Sequence, residues 1–407
     1  MPAKEGKSGS ASALSDLASV LTTKATRVFV FGLVSIITPI YVALLGYSSL
    51  YVGIVLMTMI GGNIFSNLLI IWYGDSIGRK RILIIFSFLM FVSGVLLYSS
   101  TELPIILAGA FVGNISTTGT ESGPFQSIET GILPSIVGEG RSARFFGLYN
   151  FLGYAASSIG ALAASIPSYF HDNLTVFHYL YLVYGFIGLL LLVLYMRLGA
   201  GIESIQKRQD TGRSWKGNLS PDGRLDAQTL SMIYSLDALG GGFLTQSILA
   251  YWFFLVYHLS LTGLGSIFFV TNLITAVSAL GASFVAERLG NLRTMVYTHL
   301  VSNAFVLMIP LAGSLTMAIV FLFLRQSMSQ MDVPTRQAFM AQIFDHDERV
   351  SANAITNTSR SISSLFGSPI SGAILGAGFI SVPLLAGGFI KIAYDLLIFA
   401  KYRKRVR

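Results

Sequence analysis

The chain alternates long apolar runs with short polar breaks. The runs extend roughly from Val28 to Leu45, Tyr51 to Tyr73, Ile82 to Tyr98, Pro104 to Ile128, Phe145 to Ile166 and Phe177 to Leu198. After a polar stretch from Gly199 to Arg224 come six more: Gln228 to Tyr257, Gly263 to Val285, Thr294 to Leu311, Leu315 to Phe339, Ser351 to Leu375 and Val382 to Ala400. A helix rises about 1.5 Å per residue, so a run of about 20 residues spans the hydrocarbon core of a bilayer. The pattern therefore predicts an all-α membrane protein with twelve transmembrane helices in two six-helix bundles.

The basic residues sort by loop. Lys4, Lys7, Lys24 and Arg27 precede the first run; Arg79, Lys80 and Arg81 follow the second; Arg141 and Arg144 follow the fourth. The central stretch carries Arg197, Lys207, Arg208, Arg213, Lys216 and Arg224, later even-numbered breaks carry Arg288, Arg293 and Arg349, and the chain closes on Lys401 to Arg407. The alternate loops contain no Lys or Arg. By the positive-inside rule both termini face the cytoplasm. The domains expected are a disordered cytoplasmic tail over 1–24, a six-helix half over 25–198, a cytoplasmic linker over 199–226, a second six-helix half over 227–400 and a basic cytoplasmic tail over 401–407.

Composition narrows the classes. Of 407 residues 53% are hydrophobic and 11% charged, against about 25% charged in soluble domains. The net charge of +8 comes without interleaved basic and aromatic surface, so no nucleic-acid partner is expected. There is no cysteine, which removes disulfides, thiolate metal sites and a cysteine nucleophile. No P-loop pattern occurs and no soluble stretch could house a nucleotide domain. We expect no enzyme activity, cofactor or metal, and any energy for work must come from a gradient.

The chain repeats itself. Asp75, Gly78 and Arg81 recur with the same spacing as Glu287, Gly290 and Arg293, each set between two apolar runs. Pro124 has its counterpart in Pro334, and Gly147 to Asn150 with Gly160 in Ala354 to Asn357 with Gly367.

Ionisable residues inside apolar spans are expensive and usually functional. The fourth span holds Asn114, Thr117, Thr118, Glu121, Gln126 and Glu129 around Gly123-Pro124; helical spacing puts Thr117, Glu121 and Glu129 on roughly one face. In the tenth span Arg325, Ser329, Asp332 and Arg336 form one stripe. Glu129, Asp332 and Arg336 fit either a solute site or a gate. In the seventh span Asp237 precedes Gly240-Gly241-Gly242, and is read as a proton site or a gate residue. Lys391 and Asp395, four apart, are expected to neutralise each other as a structural pair. Arg360 is expected to partner a buried acid such as Asp75. His171, Asp172 and His178 lack metal-ligand spacing.

The segment Gly74-Asp75-Ser76-Ile77-Gly78-Arg79-Lys80-Arg81 resembles the loop between the second and third helices of the major facilitator superfamily, written G-x-x-x-D-[RK]-x-G-[RK]-[RK]. Asp75, Gly78, Arg79 and Lys80 match; the first glycine is displaced and Ser76 replaces a base. Met331 to Phe339 and Gly123 to Glu129 resemble a prokaryotic branch grouped as multidrug or general-solute carriers. The fifth span lacks the G-P pair of drug–proton antiporters, and Asn114 stands where many proton-coupled members carry Arg.

The resemblance implies halves related by a pseudo-two-fold along the membrane normal and alternating access to a central site. It implies a cavity lined by the fourth, seventh and tenth helices, with Glu121 and Glu129 opposing Arg325 and Arg336. The loops carrying Asp75, Arg79, Lys80, Arg81, Glu287 and Arg293, together with Arg360, would act as gates. The expected activity is secondary active transport of a small solute, coupled to protons through Glu121, Glu129 or Asp237 and including efflux as an option. A gradient-driven uniporter is the alternative, and a non-transporting membrane receptor a third. The expected partners are the solute, protons and lipid, with the protein a monomer in the plasma membrane.

Overall fold

A computed structural model describes residues 5–120, 123–137, 142–198, 219–345 and 348–405. They form helices α1 (Glu5–Leu44), α2 (Ser49–Ile77), α3 (Arg79–Ser99), α4 (Leu103–Val112), α5 (Pro124–Val137), α6 (Ser142–Ala163), α7 (Leu174–Met196) and α8 (Pro221–Phe243). These are followed by α9 (Gln246–Tyr257), α10 (Leu261–Leu289), α11 (Asn291–Met308), α12 (Leu315–Ser329), α13 (Asp332–Ile343), α14 (Arg349–Gly376) and α15 (Val382–Tyr402). No strand occurs among the described residues. The fifteen helices make twelve crossings because the fourth, seventh and tenth are each broken in two, as α4–α5, α8–α9 and α12–α13.

Those breaks sit in apolar runs, where freed backbone groups need partners. In the fourth crossing Asn114 and Gly119 adopt left-handed backbone, with φ of 53° and 70°. Asn63 Nδ2 donates to the Ile115 carbonyl at 2.9 Å and Ser157 Oγ to the Gly119 carbonyl at 2.6 Å. Tyr184 hydroxyl serves Gly113. In the tenth crossing Ser302 and Ser278 serve the Arg325 and Ser327 carbonyls at 3.0 and 2.5 Å. Side chains therefore replace the missing helical bonds.

Three expectations change here. The fourth span is not one helix, so Thr117 and Glu129 do not share a helical face; Glu121 lies outside the described residues. The stripe of the tenth span is interrupted at Gln330 and Met331, which separate Arg325 from Asp332 and Arg336. Residues 5–24, expected as mobile tail, belong to α1, where Thr23 is fully buried and Lys24 nearly so. Val20, Thr23, Lys24 and Arg27 form one buried face that continues the first crossing toward the N-terminus.

The repeat is visible in the backbone. Gly78 and Gly290 cap α3 and α11 with φ of 94° and 81°, a left-handed conformation that glycine adopts at little cost. Both junctions turn sharply between two long helices. The side chain of Asp75 is outside the described set.

The chain divides into two compact units, one of Met1–Tyr47, Thr58–Gln206 and Phe253–Asn272, the other of Ser48–Met57, Lys207–Trp252 and Leu273–Arg407. The boundaries thus depart from the two sequence halves: the start of α2 joins the second unit, and the end of α9 with the start of α10 joins the first. Close backbone approach at glycine accounts for both exchanges. In the second unit Gly53 lies against Ser368, Pro369 and Gly372 of α14, and Ser49 Oγ meets the Tyr251 hydroxyl at 2.8 Å. In the first, Gly265 lies against Ala161 and Leu162 of α6, and Ser158 Oγ donates to the Phe269 carbonyl at 2.6 Å.

Candidate functional site

The second unit concentrates its buried charge on Asp237 of α8, a side chain that is 4% exposed. Lys391 Nζ of α15 lies 2.6 Å from its Oδ1. On the other oxygen, Arg360 Nη1 of α14 stands at 3.0 Å and Arg336 Nη1 of α13 at 3.4 Å. His299 Nε2 of α11 lies 3.6 Å from Oδ1. Five helices thus converge on one carboxylate inside the membrane span.

The glycines after Asp237 make this convergence possible. A Cβ on Gly240 would meet Lys391 Cγ at 2.7 Å and the Gly387 carbonyl at 3.0 Å. A Cβ on Gly242 would meet the Ser364 carbonyl at 2.8 Å and Gly367 Cα at 2.9 Å. The run therefore lets α14 and α15 approach α8 at backbone distance, which small residues permit between membrane helices.

The neighbours of Asp237 are tied to one another. Arg336 Nη1 also pairs with Asp332 Oδ2 at 2.8 Å, one turn back on α13. His299 Nδ1 lies 2.8 Å from Asp395 Oδ1, and Asn303 Nδ2 donates to Asp395 Oδ2 at 3.1 Å. The Tyr234 ring lies 5.9 Å from the Arg336 guanidinium carbon and 5.8 Å from that of Arg360, within reach of cation–π attraction. With a neutral imidazole, three carboxylates balance three cations.

The first unit holds a different arrangement. Glu129 of α5 is completely buried against Arg27 of α1, paired at 2.7 Å. Arg27 donates through both terminal nitrogens, while Thr23, Tyr149 and Tyr195 donate their hydroxyls to the same carboxylate at 3.1, 2.7 and 2.5 Å. The Arg27 guanidinium also covers the Phe125 ring at 4.6 Å. Five donors fill both oxygens of Glu129, which makes it a closed hydrogen-bonded knot. Gln126, on the same helix, lines a small cleft with Lys24, Thr120, Asn150 and Tyr154.

Several residue assignments change accordingly. Glu129, expected with Glu121 to oppose Arg325 and Arg336, has its charge met within its own unit by Arg27, which the positive-inside pattern counts only as a flanking base. Lys391 and Asp395 do not pair: Lys391 goes to Asp237, and Asp395 to His299 and Asn303. Arg360 meets Asp237 in place of Asp75, because α14 packs along α8. Arg325 Nη1 donates to Gln326 Oε1 at 2.6 Å, and its buried Nε has no hydrogen-bond partner among the described residues.

The loop residues fall into two groups. Lys80 Nζ caps the C-terminal end of α7 through the Leu198 carbonyl at 2.7 Å. Arg79 is half-buried, whereas Arg81, Glu287 and Arg293 are exposed. Asp237, placed on the seventh span by the sequence, and Asp332 and Arg336, placed on the tenth, are brought together through Arg336. His299, Asn303, Tyr234 and Arg27 were missed. A histidine and an asparagine one turn apart in the ninth run carried the signal for the first two.

Known proteins share this architecture. The chain is similar to the nucleoside transporter NupG, with a TM-score of 0.70 at 12% identity over 95% of this chain and 99% of that one. It is also similar to a D-xylose-proton symporter, with a TM-score of 0.70 at 15% identity over 96% of this chain and 97% of that one. In sequence it is 22% identical over 405 residues to the uncharacterized membrane protein YJR124C of Saccharomyces cerevisiae, covering 91% of this chain and 90% of the relative. The family model described as Major Facilitator Superfamily matches residues 21–325 and 230–407. With twelve crossings, a repeated six-helix plan and this match, the chain belongs to the Major Facilitator Superfamily, a family of membrane transporters.

Proposed function

We propose that this transporter is a proton-coupled secondary carrier of a small solute, working by alternating access, with Asp237 as the proton site. The single observation behind this reading is a carboxylate 4% exposed that contacts three cations and a histidine from four other helices. Protonating such a group removes the charge that several helices share, so one proton alters contacts throughout the unit. The D-xylose-proton symporter of similar fold lends the coupling a precedent.

Alternating access requires surfaces that part. The glycine contacts of α2 on α14 and of α6 on α10 lie next to the loops without Lys or Arg, and we assign them to the outer closure. Both termini are read as cytoplasmic, the bilayer as the plasma membrane and the protein as a monomer. The Asp75 loop, its echo at Glu287 and Arg293, and Arg79, Lys80 and Arg81 are read as gating elements on the cytoplasmic side.

Uptake into proteoliposomes with and without an imposed pH gradient tests this. The expected result is accumulation driven by the gradient in the native protein and its loss in Asp237→Asn, with equilibration of solute retained or slowed. Equal rates with and without the gradient in both proteins would establish a uniporter instead.

A further inference from the structure

The charge balance around Asp237 specifies the solute. Asp237 is faced by Lys391, Tyr394 and Asp395 from α15, Arg360 from α14, Arg336 and Asp332 from α13 and His299 from α11, with Tyr234 on its own helix. Asp332 is committed to Arg336, and Asp395 to His299 and Asn303. Lys391 and Arg360 make their ion pairs, among the described residues, with Asp237 alone. A proton on Asp237 therefore leaves three cations against two carboxylates. An uncompensated charge in such surroundings is strongly unfavourable.

We infer, building on the coupled-transport reading, that the solute carries a carboxylate, which takes the place of the Asp237 carboxylate against Lys391 and Arg360 when Asp237 is protonated. The balance is simple: one proton goes onto Asp237, one anionic group enters, and the net charge of the cluster is unchanged. The geometry suits a planar group with two oxygens, because Lys391 and Arg360 contact different oxygens of Asp237. The backbone leaves the ammonium approachable on one side. A Cβ built on Gly241 meets nothing nearer than Lys391 Nζ at 3.9 Å, and the Arg360 and Lys391 side chains keep 22% and 12% of their surface open. A neutral solute would leave the two cations without a counter-charge.

Thermal unfolding of the purified full-length protein in detergent tests this directly. The probes are benzoate, lactate and succinate, each against its neutral analogue benzamide, lactamide or succinamide, at pH 5 and pH 7.5. The expected result is a rise in Tm with one or more carboxylates, larger at pH 5, and none with the amides. Arg360→Gln and Lys391→Met should each weaken that binding by about tenfold, since each removes a charge-assisted hydrogen bond. Asp237→Asn, checked for folding by size-exclusion chromatography, should bind the same carboxylate equally at both pH values. Stabilisation by amides as strong as by acids, retention of binding in Arg360→Gln, or no response to any carboxylate at either pH overturns the inference. The outcome separates from the coupling itself, which stands if a neutral solute is accumulated by a pH gradient and falls if a bound carboxylate is carried without regard to one.

Discussion

Lys391 Nζ stands 2.6 Å from Asp237 Oδ1 on another helix, while Asp395, one turn along its own helix, is held by His299. A helical (i, i+4) pair of opposite charges therefore forgoes its local partner for two distant ones. The local pair would leave Asp237 short of one cation and His299 short of an acceptor, inside a bundle where neither can turn to water.

A double-mutant cycle should expose this choice. Lys391→Met and Asp237→Asn are expected to couple by about 0.5–3 kcal/mol, the range for residues in direct contact or in one ion-pair network. Lys391→Met and Asp395→Asn should couple more weakly. Chemical denaturation of the single and double variants in a mild detergent measures both terms, and a larger coupling for the 391–395 pair would contradict the arrangement described.

The knot at Glu129 makes the opposite prediction to that for a solute site. Glu129→Gln strands the Arg27 guanidinium at zero exposure, which should lower stability by about 3–5 kcal/mol. Activity per folded molecule should change little. Arg27→Met combined with Glu129→Leu removes both charges and should recover much of the lost stability. The checks are Tm and uptake normalised to the folded fraction; normal stability with abolished uptake would return Glu129 to the transport pathway.

Close helix approach supplies a third prediction. A methyl at Gly240 would meet Lys391 Cγ at 2.7 Å and the Gly387 carbonyl at 3.0 Å, whereas one at Gly263 would meet only Leu259 and Ser260 at 3.6–3.8 Å. Gly240→Ala should therefore cost about 1–3 kcal/mol through overpacking and disturb coupling through Lys391. Gly263→Ala, in the first turn of α10, should be neutral or slightly stabilising. Unfolding midpoints of the two variants distinguish the cases.

These residues also mark what the sequence could convey. Apolar run length and the sorting of bases revealed the twelve crossings, because burial in lipid leaves a chain few other solutions. The repeat of Gly78 at Gly290 was legible for the same reason, since each caps a helix at positive φ. Pairing was not legible. Ionisable residues could be located in the apolar runs, yet the partner of Arg360 depends on α14 packing along α8, and that of Glu129 on α1 extending down to Thr23. Periodicity also assumed unbroken helices, and the breaks at Asn114 and at Gln330 defeated the one-face reading of the fourth and tenth spans.

His299 offers the last and sharpest test of the cluster. Its Nδ1 lies 2.8 Å from Asp395 and its Nε2 3.6 Å from Asp237, at an exposure of 3%. An imidazole protonated at both nitrogens can donate to both acids, whereas a neutral ring can donate to only one. The ring thus links the proton site to a second carboxylate that no cation otherwise touches closely. His299→Phe retains ring volume but leaves Asp395, fully buried, with Asn303 as its remaining close donor. We expect a loss of about 1–3 kcal/mol, the cost of leaving a buried acceptor without its donor, and weakened accumulation under a pH gradient. Adding Asp395→Asn removes the stranded charge and should restore stability. If His299 also serves the proton on Asp237, coupling stays impaired in that stable double variant; if the histidine only holds Asp395 by its hydrogen bond, coupling returns with the fold. Uptake measured on the double variant, once its Tm matches the native protein, decides between the two.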